Sequence, residues 1–202
     1  MRQGLDPYAA GPVEILGTDN DLARSVPFIW AHSPSPYGPV ALGVAAAISW
    51  LTQDSIYFGV LAHRAVSFLG VISAAWGIRE LAKRCGAHGA TALWLGVLNP
   101  LAMLHLIGGI HNEAVMLGFL LVGMELGLRG VDKLAQRARD PRGWALFLAS
   151  SALLTCGGMV KVTGFIALGF TGMALARLWA KGTGTRASIR AISAAALIQA
   201  LA

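Results

Sequence analysis

Apolar runs at residues 39–51, 56–78, 90–109, 114–128, 144–160 and 163–179 are divided by short polar connections. Most of them approach the roughly twenty residues that carry an α-helix across a bilayer core. No other feature constrains the chain as strongly. Inside hydrocarbon each backbone N–H and C=O must find its partner within its own segment or in a closed barrel, and continuous apolar runs of this length imply helices. Only 13% of the residues are charged, against about 25% in soluble domains, which leaves too little polar material to enclose so much apolar surface in water. The expected class is an all-α, polytopic membrane protein.

The first run is too short to cross, and another begins at about Ile189 and ends after roughly a dozen residues, again short of a span. The expected architecture is about five complete spans plus a truncated one. Residues 1–55 read as a first outer loop bearing an interfacial helix, and residues 56–202 as a transmembrane helical domain incomplete at its C-terminal end. No secretory signal pattern follows Met1, so the expectation is an internal piece of a longer protein whose upstream part positions the first loop.

The basic residues orient these spans. Arg79, Lys83 and Arg84 follow the second run; Arg129, Lys133, Arg137, Arg139 and Arg142 follow the fourth; Arg177, Lys181, Arg186 and Arg190 follow the sixth. Together they are twelve of the chain's 16 Lys and Arg residues, and the positive-inside rule makes these three connections cytoplasmic. The turns GGIHNEA and GGMVKVT, and the N-terminal loop, are then on the outer face. This arrangement also explains the net charge of +6 without nucleic acid, for which there is no motif.

The opening stretch, with GLDPYAAGP and later HSPSPYGPV, is rich in helix breakers: Gly4, Pro7, Gly11, Pro12, Pro34, Pro36, Gly38 and Pro39. Asp6, Glu14, Asp19 and Asp21 make it acidic, so it reads as an ordered, water-facing loop. The run at 39–51 is left with no crossing to make and is expected to lie along the outer interface, with Trp50 near the headgroups.

Several polar residues interrupt the apolar pattern. His63 and Arg64 fall inside the second run, where a mid-bilayer charge costs at least about 3 kcal/mol, so they belong near its outer end. Arg64 suits a bidentate contact to a lipid phosphate, an interfacial anchor or a partner for an acidic side chain. Asn99 and Pro100 break the third run, and His105 follows. His111, Asn112 and Glu113 then cluster beside Gly108 and Gly109, either as a polar site or as caps of the next helix. Glu125 has Arg129 at i+4, the spacing of a local ion pair, and Lys161 tips the next outer turn as a snorkelling cation or a phosphate partner. Cys85 and Cys156 are poorly placed for a bridge and read as small core residues. No zinc spacing, phosphate-cradling loop or nucleophilic triad can be picked out, and no cofactor or divalent metal is assigned.

In order, GLDPYAAGP, a Trp followed by SPSPYGPV, an Arg early in a span and GGIHNEAVMLG resemble the actinobacterial polyprenyl-phosphomannose-dependent α-1,6-mannopyranosyltransferases of the GT-C superfamily. The resemblance runs from Gly4 to about Trp179. It implies a multi-pass cell-membrane hexosyltransferase whose outer loops roof a cavity, with a polyprenyl-phosphate-mannose donor, a growing mannan of the lipomannan or lipoarabinomannan core as acceptor, and inversion at the anomeric carbon. It also implies a carboxylate base at or before the first outer loop, upstream of Met1, which would leave this fragment inactive; Asp6 is a weak candidate within the chain. Together with the residue reading it assigns substrate binding to Asp6, Tyr8, Tyr37, Arg64, His111, Asn112 and Glu113, and membrane lipids as further partners. The competing readings are a transporter or lipid flippase whose polar path includes His63, Arg64, Asn99, His105 and Glu125, and a non-catalytic membrane scaffold.

Overall fold

A computed structural model describes residues 5–180 and 185–201; Gly4 and Lys181 of the sequence reading, and the side chain of Arg186, lie outside the described residues. Among the described residues every regular element is helical. Three short helices, α1 (Pro12–Leu16), α2 (Asp21–Ser25) and α3 (Phe28–Ala31), fold the first loop. They precede α4 (Pro39–Leu51) and the long α5 (Ile56–Arg84). Two pieces, α6 (Gly89–Gly96) and α7 (Pro100–Gly108), are bent by 47° at their junction. Then come α8 (Glu113–Gln136), α9 (Pro141–Val160), α10 (Val162–Trp179) and α11 (Thr185–Leu201).

Four of these, α5, α8, α9 and α10, are long and apolar enough to cross a membrane, and α6 with α7 makes a fifth if the bent pair is one span. Local chemistry sets the boundaries. Asn99 and Asp140 each stand before a proline at the first helical position, and each side chain accepts a hydrogen bond from an otherwise unpaired N–H of the first turn. Cys85 follows the last residue of α5 and is exposed, which corrects its reading as a core residue; the helix has ended and the side chain has no face to bury.

Small residues decide how the spans pack. A Cβ on Gly70 would lie 2.5 Å from the Ala114 carbonyl, and one on Gly77 would lie 2.6 Å from Leu121 Cβ. Both pairs are offset by the same number of residues, so α5 and α8 run parallel with their backbones nearly touching. Gly123, Gly127 and Gly130 play the same part toward Leu154, Ser150 and Phe147, in descending order along α9, so α8 and α9 are antiparallel.

This register has a consequence for depth. Because Gly70 is level with Ala114, the first fourteen residues of α5 extend about 20 Å beyond the start of α8 at 1.5 Å per residue. The resulting step is lined by α4. Ala41 and Val44 share a small cavity with His63 and Ser67, while Ile48 shares another with Gly59, so α4 runs antiparallel to the projecting half of α5. Thr52–Ser55 make the reversal, with Gln53 and Asp54 at φ of 51° and 59°. Helix α4 and the projecting half of α5 thus form a helical hairpin, with Trp50 exposed near its tip.

Candidate functional site

At the foot of this step, a polar cluster assembles from four elements. Its first member comes from the broken helix. Asn99 Oδ1 accepts from the Ala102 N–H at 2.8 Å, and Asn99 Nδ2 donates to the Leu95 carbonyl at 2.9 Å. One side chain thus satisfies both sides of the proline break.

Beyond the break, Met103–Gly108 widens into a π-helical turn, a rare conformation that recurs at functional sites. It places the His105 ring against that of His111, with centroids 3.9 Å apart and planes inclined by only 16°. Gly109 permits this contact, since a Cβ there would lie 2.8 Å from both the His105 carbonyl and the His111 ring. Ile110 holds φ at 54°, an unfavourable value for a β-branched residue, and the strain is confined to the turn that aims His111.

His111 Nδ1 lies 3.7 Å from Glu113 Oε2, and Glu113 Oε1 pairs with Lys161 Nζ. Oε2 itself is buried without a hydrogen-bond partner. Lys161 sits at the end of α9, with its Nζ 5.9 Å from the centre of the Tyr37 ring. The hydrogen bond to Glu113 raises the lysine's pKa above its usual value, so it is cationic at neutral pH. Asn112 precedes α8 but its side chain does not cap the helix; it lines the small cavity with Ala41, His63, Ser67 and Val160.

Tyr37 belongs to the first loop, and its neighbour explains how that loop is held. The Gly38 N–H donates to the Val160 carbonyl at 3.0 Å, and a Cβ on Gly38 would sit 2.1 Å from the Met159 carbonyl oxygen. Only glycine allows the approach. On its other side Tyr37 borders an open, mainly apolar cavity of about 530 Å³ whose walls include Pro7, Pro12, Trp30 and Pro36. The charged cluster and the loop cavity therefore share one aromatic wall.

The structure thus brings Tyr37, His111, Asn112 and Glu113 to one seam and adds His105 and Lys161. The other candidates stay apart. Asp6 Oδ1 accepts from the Tyr8 N–H at 2.9 Å, a local turn in the loop, and Tyr8 is half exposed. Arg64 is exposed on α5 without a side-chain partner among the described residues, whereas its neighbour His63 faces α4 and Asn112. Lys161 was the member hardest to place from sequence. The available signal was a lone cation in one short turn and a lone carboxylate in another, two turns that the basic connections predict to share a face.

The opposite end of the bundle holds a second charged group. Glu125 keeps the expected bond to Arg129 Nε at 2.6 Å, and Arg84 clasps the same carboxylate through two nitrogens at 2.6 and 3.1 Å. Arg84 also reaches Asp132 at 2.6 Å, and Arg129 reaches Glu80 at 3.0 Å while lying over Trp76. The local pair is one arm of a lock between α5 and α8.

Comparison with known proteins identifies the family. Over 99% of its length the chain is 59% identical to alpha-(1->6)-mannopyranosyltransferase B of Corynebacterium glutamicum, of which it covers 33%. It is 35% identical over 96% of its length to alpha-(1->6)-mannopyranosyltransferase A of Mycobacterium tuberculosis, again covering 33% of that protein. The C. glutamicum alpha-(1->6)-mannopyranosyltransferase A is 34% identical over 84% of the chain. The chain spans about a third of the length of these curated relatives. No solved structure matches. The family described as alpha-(1->6)-mannopyranosyltransferase, N-terminal domain, matches residues 1–177, and the chain belongs to that family.

Proposed function

We propose that this chain forms part of a membrane mannosyltransferase that takes mannose from a polyprenyl-phosphate-mannose donor and adds it to a growing α-1,6-mannan, with inversion at the anomeric carbon. The observation that carries the site assignment is the seam at which Tyr37, Lys161, Glu113, His111 and His105 meet beneath the first loop. In this reading the loop and the turn at His111 face the outside of the cell membrane, and the basic connections face the cytoplasm.

The division of labour follows from the chemistry. Glu113 Oε2 is a buried acceptor with no donor, the arrangement that a sugar hydroxyl completes. Lys161, whose charge the same carboxylate holds in place, has ammonium protons left for the phosphate that departs with the polyprenyl chain. Arg64 stands ready on the projecting part of α5 for a lipid phosphate, and Tyr37 offers a flat wall to a sugar ring. An acceptor hydroxyl attacks the anomeric carbon, its proton passes to a carboxylate, and the polyprenyl phosphate leaves from the opposite face. Glu113 is committed to Lys161 and serves to orient. The base is assigned to a carboxylate outside residues 1–202, with Asp6 and Tyr8 lining the approach from the loop.

The test uses the full-length protein in membranes, with labelled polyprenyl-phosphomannose and an α-1,6-mannoside acceptor. Transfer of label with inversion is expected. Its absence, with the protein folded and both substrates present, removes the reading. Glu113→Gln should lower transfer about 10- to 100-fold, the worth of a hydrogen bond to a charged group.

A further inference from the structure

The end of the bundle opposite the candidate site carries positive charge that the protein itself does not neutralise. Its carboxylates are already engaged: Glu125 by Arg84 and Arg129, Glu80 by Lys83 and Arg129, Asp132 by Arg84. The turn between α8 and α9 is different. Lys133, Arg137, Arg139 and Arg142 make no side-chain hydrogen bond or ion pair among the described residues, and the three arginines are exposed. Four cations against one carboxylate, Asp140, leave the stretch 133–142 at +3. Asp140 is itself occupied in capping α9.

Two tryptophans place this charge relative to the bilayer. Trp144, one residue beyond Gly143 in the first turns of α9, donates its indole N–H to the Ala138 carbonyl at 3.3 Å, and its ring lies 6.2 Å from that of Trp179 at the end of α10. Indole rings at the ends of spanning helices occupy the headgroup level. The arginines therefore stand where lipid phosphates are, and they are not spent on protein carboxylates.

We propose that the α8–α9 turn is a binding site for anionic phospholipid headgroups, with Arg137, Arg139 and Arg142 contacting the phosphate and the Trp144–Trp179 pair flanking the acyl chains. Arginine suits this role because its planar donor set meets phosphate oxygens in pairs. Each cation near an anionic surface contributes about 1 kcal/mol, a factor of about five, so three of them give selectivity over zwitterionic lipid even with incomplete additivity. The site is about a bundle length from the cluster at Glu113 and does not rest on the assignment of mannosyl transfer.

The experiment delipidates the full chain in a neutral detergent and adds phosphatidylglycerol, phosphatidylcholine or inorganic phosphate, reading bound lipid by native mass spectrometry. Phosphatidylglycerol should remain bound in preference to phosphatidylcholine, with inorganic phosphate neither retained nor competing at the same concentration. The triple variant R137Q/R139Q/R142Q should weaken that retention at least about tenfold, while R137K/R139K/R142K, which keeps the charge but not the paired donors, weakens it less. If the triple variant does not fold, Arg139→Gln alone should weaken retention about three- to fivefold. Equal retention of both lipids, undiminished retention in the glutamine variants, or displacement by free phosphate would overturn the proposal.

Discussion

Lys161 and Glu113, 48 residues apart in sequence, form an ion pair that ties the end of α9 to the first turn of α8 directly beneath Tyr37. The pair fixes the floor of the step left by the staggered helices, and the loop is anchored one residue from it, through Gly38 and Val160. Positioning of the candidate site and docking of the loop are therefore one packing problem.

Removal of either partner leaves the other in a partly dry setting. Lys161→Met should destabilise the protein by about 1–3 kcal/mol, because the Glu113 carboxylate then keeps its desolvation without its cation. The double variant K161M/E113Q should recover much of that loss. Thermal unfolding of the four proteins in detergent checks this, and a simply additive double variant would show that the two side chains do not interact.

Gly38→Ala places a methyl group where the Met159 carbonyl oxygen already stands, 2.1 Å from the ideal Cβ position. Backbone on both sides has no rotamer with which to yield, so the loop must lift from α9 at a cost of about 1–3 kcal/mol. Limited proteolysis should cleave residues 17–38 faster in the variant than in the parent, with the spans left intact.

Glu125 has a side chain only 3% exposed and answers two arginines. Glu125→Gln should cost about 1–3 kcal/mol, because the buried centre of the lock loses its charged acceptor while Arg84 keeps Asp132 and Arg129 keeps Glu80. Unfolding midpoints should fall well below those of Asp132→Asn, whose carboxylate is exposed and answers Arg84 alone.

The first loop and the seam should respond to opposite extremes of pH. The bond from His32 holds Glu14 below its ordinary carboxylate range, so its contribution is present above that range and is lost as acid protonates it through the lowered folded value. Lys161 is shifted upward by Glu113, so its contribution is complete below the usual lysine value and disappears as pH rises through the folded one. Protease protection of the loop should weaken in acid as Glu14 is protonated and in base as Lys161 loses its proton, and Glu14→Gln should remove the acid limb while leaving the basic one.

Much of this architecture can be read along the chain. The spans follow from apolar length, their ends from Asn99–Pro100 and Asp140–Pro141, and the Glu125–Arg129 contact from i+4 spacing, because each depends on neighbours within a turn or two. His111, Asn112 and Glu113 could be singled out for the same reason. Other features were beyond such rules: the stacking of His105 on His111, the pairing of Lys161 with Glu113, and the addition of Arg84 to Glu125. They depend on which helices are neighbours and at what height.

By itself the sequence determined that the described fold is helical, where its apolar stretches lie and on which connections the positive charge collects, but not the C-terminal ends of the long helices, since α5 continues to Arg84 and α8 to Gln136. Those properties come from backbone satisfaction and hydropathy, which act over one segment at a time. Tertiary structure alone decided that α8 starts about 20 Å below the start of α5, that α4 folds back along the exposed part, and that Tyr37 ends up over Lys161. The reason is physical: glycine contacts between backbones set the vertical register of neighbouring helices, and a shift of one helical turn would separate every charged pair at the seam.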